Sequence, residues 1–218
     1  MRVRLDVVGK AEGKDVLPAT TLVFETGRAT LGFAETEQRP SVLGLLASGR
    51  MRPDSGQVLI DGEVDPAQMR RRIALVDAPD ISAPEPNVAV SGVVGEELMF
   101  AGRRAGRSRA RKWLGRLGMA DAAHLPVSNL DPARRIRMLC ELAVLRGDVE
   151  GLVVVSPDRH GGDPRVWWAL GSDFADRGFA VLMIAGEASR LVLGPVTGVG
   201  PDVPADPTAE LPVEGTAP

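Results

Sequence analysis

Apolar positions along the 218-residue chain follow two rhythms. Val3 to Val8 alternates apolar and polar, as a strand with one buried face does. Thr21–Phe24 and Ala29–Phe33 are apolar and β-branched, separated by a Thr26-Gly27 turn, and both read as strands. Gln57–Ile60 reads as a strand between a Pro53-Asp54-Ser55-Gly56 turn and an Asp61-Gly62 turn. Ile73–Val76, Leu152–Val155 and Ala180–Ile184 are short and wholly apolar, which suits strands buried on both faces of a parallel sheet.

Helical spacing appears between these strands. Val42–Ala47 follows Pro40, a residue favoured in a first helical turn. Ser91–Leu117 predicts helix, broken near Gly102 and Gly106. Pro132–Leu145 predicts a helix capped by Asp131, and Arg165–Arg177 another. Asp77–Pro86 is rich in Pro, Asp and Ser and predicts a loop. Strands alternating with helices predict an α/β fold with a largely parallel sheet core and an N-terminal antiparallel β portion.

Composition changes the picture at the C-terminus. Residues 195–218 hold six prolines, four acids and no Lys or Arg, a composition that predicts a disordered acidic tail. Apolar residues form 44% of the whole, enough for a sizeable core, and no stretch is long enough for a membrane span. The net charge of −3 does not point to nucleic acid, and no nucleic-acid partner is expected. A single cysteine, Cys140, excludes an internal disulfide. With no signal-like N-terminus, a cytoplasmic location is expected. The cations Arg103, Arg104, Arg107, Arg109, Arg111, Lys112 and Arg116 have no acid between them. A solvated helix face is the simpler reading; a docking face for an acidic partner, an anionic membrane or nucleic acid is the other.

The segment LLASGRMRPDSGQVLIDG, Leu45 to Gly62, resembles the stretch after the phosphate loop in the ATP-binding cassettes of ABC transporters. Further pieces fall in the family's order. They are IALVDAP from Ile73, VSNLDPARR from Val127, LVVVSPDRHGGDP from Leu152 and VLMIAGE from Val181. The resemblance covers residues 1–194 and implies a P-loop NTPase-like cassette, with a small helical subdomain at about 88–130. It implies ATP and Mg²⁺ as ligands, and a membrane permease or another cassette as partner.

The residues at the matching positions depart from the family's chemistry. A phosphate loop needs glycines, a Lys and a Ser/Thr. Here Gly32 to Ser41 reads GFAETEQRPS. Gly32 remains, Arg39 could supply the charge and Ser41 the hydroxyl, while Glu35 and Glu37 repel an anion and Pro40 lacks an N–H. Ser156-Pro157 stands where the family has Asp-Glu, with Asp158 next to it. Ser128 survives from the signature without its glycines, and reads more simply as a turn cap. Gly186 replaces the switch histidine, and Ala78 falls near the magnesium-sensing glutamine. His160 reads as a lone surface histidine. Gly162-Asp163-Pro164 keeps the loop that in relatives meets the opposite subunit, so a dimer contact near Asp163 is one reading and a plain turn the other. The sequence therefore predicts a degenerate cassette with no catalytic residue and no metal site, serving a transporter structurally or as a regulator. The alternative is a weak ATPase using Arg39, Ser41 and Asp158.

Overall fold

A computed structural model describes residues 1–12, 14–35 and 39–194. Glu37 and the 195–218 tail lie outside them. The chain begins with a long hairpin, β1 (Arg2–Glu12) and β2 (Lys14–Glu25). With β4 (Ser55–Ile60) it forms an antiparallel sheet ordered β2-β1-β4. Gly56 meets β1 so closely that a Cβ there would lie 2.3 Å from the Asp6 and Val7 carbonyl oxygens, at a φ of +71°. Only glycine fits that crossing.

The second sheet is parallel, ordered β3-β7-β6-β5, from β3 (Arg28–Phe33), β5 (Ile73–Val76), β6 (Gly151–Val155) and β7 (Ala180–Ala185). Side chains alternate across a strand, so β5, β6 and β7 each feed two cores. Leu75, Val153, Val155, Leu182 and Ile184 face one core, shared with the antiparallel sheet and α1 (Arg39–Ala47). Ala74, Val76, Leu152, Val154, Val181 and Met183 face the other. That second core is closed by α3 (Val90–Phe100), α4 (Arg107–Arg116), α5 (Pro132–Ala143) and α6 (Pro164–Asp176). Burial on both sides is why these strands read as unbroken apolar runs.

Local chemistry sets the helix ends. Asp131 accepts hydrogen bonds from the Ala133 and Arg134 amides, and Asp163 accepts one from Arg165, each followed by a proline at the first helical position. The expected break in the 91–117 stretch occurs at Gly102 and Gly106, both with positive φ, between α3 and α4. Two short helices go unread in the sequence: α2 (Pro66–Arg72), capped by Asp65, and α7 (Glu187–Leu193). Among the described residues no helix is long and apolar enough to cross a membrane.

Candidate functional site

In a parallel α/β sheet the loops at the carboxyl ends of the strands form the customary ligand crevice. The sequence candidates divide unevenly around that edge. Gly32 lies inside β3, in register with Ile184, and is buried there. It belongs to the strand rather than to a loop. Arg39 and Ser41 sit in the first turn of α1, on either side of Pro40. Ser128 lies in a 3₁₀ turn, Val127–Asn129, exposed, its hydroxyl 3.3 Å from the Asn129 side-chain oxygen. Asp163 is spent as the α6 cap and pairs weakly with Arg165 at 3.4 Å. Beside it a shallow cavity runs between the N-termini of α5 and α6, and the indole N–H of buried Trp167 has no partner among the described residues.

Asp158 follows β6 in a 3₁₀ turn entered through Ser156, whose φ is +47°. Its carboxylate accepts hydrogen bonds from the Gly186 amide (2.9 Å) and the Ser189 hydroxyl (3.1 Å). Glu35, in the loop after β3, accepts one from the Glu187 amide at 2.7 Å. Two carboxylates from two strand-end loops thus flank Gly186, which opens α7. A helix start is where free amides would attract an anion. Here the chain's own acids take those donors.

Nothing in the sequence assigned Asp77 or Arg135 to a site, yet they form the most buried charged group of the described residues. Asp77 directly follows β5 at a φ of +57°, with its side chain 1% exposed. Arg135 of α5 grips it with two hydrogen bonds of 2.7 and 3.1 Å. Arg159 adds a third at 3.1 Å, and His160 Nε2 stands 2.7 Å from the other oxygen. His160 is therefore a partner in a buried network, not the lone surface residue expected. Burial would raise the Asp77 carboxyl, but the hydrogen bonds from His160 and Arg135 and the charges of Arg135 and Arg159 outweigh it and hold it below the usual carboxylate range. Desolvation lowers Arg159, and Asp77 opposes that shift. A sequence signal existed for this pair: Arg135, Met138, Leu139 and Leu142 fall at i, i+3, i+4 and i+7, which puts a cation on the apolar face of α5. A buried cation needs a buried anion.

Two further features bear on chemistry. Burial raises the Cys140 thiol well above its ordinary value, so it is inert packing rather than a nucleophile. Among the described residues no three His, Cys, Asp or Glu side chains converge as a metal site would require.

No family profile and no curated protein sequence matches the chain. Its similarity lies in three dimensions. CbiO1 of Clostridium perfringens, part of the ABC transporter complex CbiONQ, superposes with a TM-score of 0.58 at 16% identity, covering 84% of this chain and 77% of that one. A Pyrococcus furiosus protein described as an ABC transporter ATP-binding protein gives 0.61 at 16%, covering 86% and 92%. An ATP-binding subunit of another ABC transporter gives 0.57 at 16%, covering 87% and 82%. The parallel sheet, the antiparallel sheet packed on it and the helices between are those of these proteins: the chain has the fold of the ABC transporter ATP-binding cassette.

Proposed function

We propose that this chain is a cassette-fold subunit that serves a membrane permease or an active cassette, structurally or as a regulator, without itself turning over ATP. The observation that carries this reading is the pair of carboxylates, Glu35 and Asp158, seated on the amides and hydroxyl around Gly186. A bound triphosphate would meet negative charge from both loops. Pro40 offers no amide at the start of α1, and the position after β6 is Ser156-Pro157, with no carboxylate in either residue. Phosphoryl transfer depends on positioning and charge stabilisation by metal and donors. The residues present do not fit Mg-ATP.

The same proposal includes residues 1–194 as the cassette, a helical subdomain at about 88–130, and a dimer contact around Asp163. The permease partner is supported by the complex to which the Clostridium protein belongs. Attachment at the inner face of the cell membrane, through that partner, follows from it. A second reading, a weak ATPase, draws on Arg39 and Ser41 in the first turn of α1 and on Asp158 after β6. Isothermal titration with Mg-ATP separates the two. No heat and no phosphate release are expected; micromolar binding that disappears in Arg39→Ala would overturn the first reading.

A further inference from the structure

The basic segment singled out in the sequence has no role in the reading above, and the structure gives it a shape. Arg103 and Arg104 lie in the turn before α4, and Arg107, Arg109, Arg111, Lys112 and Arg116 lie on it. All are exposed, and none pairs with a carboxylate among the described residues. Ala110, Trp113 and Leu114 face the core. At about 100° per residue, the five cations of the helix fan over about 200° of its circumference, the whole side the core leaves open. At the end of α3, three residues before Arg103, Met99 is 58% exposed and Phe100 64%.

We propose that this face seats directly on an anionic lipid bilayer. The cations would lie over the headgroups, and Phe100 and Met99 would enter the interface. The breadth of the charge is the deciding observation. A groove on an acidic protein addresses a stripe of one helix; a fan of this width suits an extended, diffuse anionic surface. Single-stranded nucleic acid needs successive aromatic faces for stacking; Trp113 is 6% exposed, which leaves Phe100 alone at one end of the face. Glu96 is exposed one turn before Phe100 and marks where the apolar edge ends. This inference is independent of whether ATP binds, because no residue of the strand-end loops takes part in it.

The test is co-sedimentation of the full chain with large vesicles of phosphatidylcholine, alone or with about 30% phosphatidylserine. Binding is expected only with phosphatidylserine, weakening about tenfold or more between about 0.05 and 0.5 M salt. Arg107→Glu with Arg111→Glu should lose about tenfold or more in affinity. Phe100→Ser should lose about threefold or more and keep the salt dependence. Arg71→Glu, an exposed cation on α2, should bind as the parent does. Equal binding to neutral vesicles, no binding to anionic ones, or full binding by the double reversal with an unchanged circular dichroism spectrum would each sink the proposal. Tighter binding to a duplex oligonucleotide than to vesicles at the same salt would assign the face to nucleic acid and also overturn it.

Discussion

Asp77 is held by Arg135, Arg159 and His160, and the four act as one unit. Asp77→Asn keeps the shape but strips Arg135 of its counter-charge inside the core. Breaking a buried pair in this way costs about 3–5 kcal/mol. The urea midpoint should fall accordingly, with an unchanged slope. His160→Ala, at a position 23% exposed, should cost less, about 1 kcal/mol. The folded Asp77 carboxyl is depressed, so its contribution is present above the unfolded value of about 3.9 and is lost as pH falls through the lower folded value. Denaturant titrations at several pH values should show that acid-side loss in the parent and a smaller one in Asp77→Asn. The sequence predicted nothing at this site beyond a loop starting at Asp77, because a charge network among segments 58 and 82 residues apart leaves no local pattern. Only the misplaced cation at Arg135 betrayed it.

At the scale of elements, α1 lies tight against the sheet through Gly44. A Cβ there would come within 2.7 Å of a Val155 methyl and 3.1 Å of a Leu75 methyl. Gly44→Ala should therefore destabilise by about 1–3 kcal/mol through overpacking, despite the gain in helix propensity. A thermal melt of the variant checks both size and sign. Elements with strong local signals were legible: the buried strands, the capped α5 and the break between α3 and α4 all lie where the apolar rhythm and the glycines put them. The hairpin exceeded its expected length because its register shifts at a bulge near Val7, which blurs the alternation. The seven-residue α2 and α7 were too short to build a periodic signal, although Asp65-Pro66 is a readable helix start.

Across the whole molecule, Arg72 at the end of α2 joins layers that are distant in sequence. It pairs with Asp61 after β4 at 2.7 Å and with Glu150 before β6 at 2.6 Å. Hydrogen bonding to Arg72 lowers Glu150; burial opposes the same effect at Asp61, where the Arg2 amide and Arg72 prevail. Both depressions add to acid-side instability, with the sign worked out for Asp77. Because these groups are largely exposed, salt should weaken their share while leaving the Asp77 share intact. Arg72→Met should cost about 0.5–1 kcal/mol in low salt and less at high salt, read from paired melts. The architecture was legible in the sequence because the order of strands and helices is written locally. The placement of Glu35 and Asp158 about Gly186 was not, because residues 152 positions apart meet only once the sheet has formed.

The clasp on Asp77 has a mechanical consequence. Arg135 of α5 also reaches the Val127 carbonyl at 3.4 Å, and the Val127 and Ser128 amides bond back to the Val88 and Pro86 carbonyls, so the segment carrying α3 and α4 meets the Asp77 network through one long hydrogen bond. Moving α5 off the strand end would leave Arg135 without its anion inside the core, at a cost of about 3–5 kcal/mol, whereas moving α3 and α4 alone would break only the long bond to Val127. The clasp therefore anchors α5, rather than α3 and α4, to the sheet. A pair of spectroscopic labels, one on α5 and one on β1, should report a single distance that nucleotide does not move, and that broadens once Asp77 is replaced.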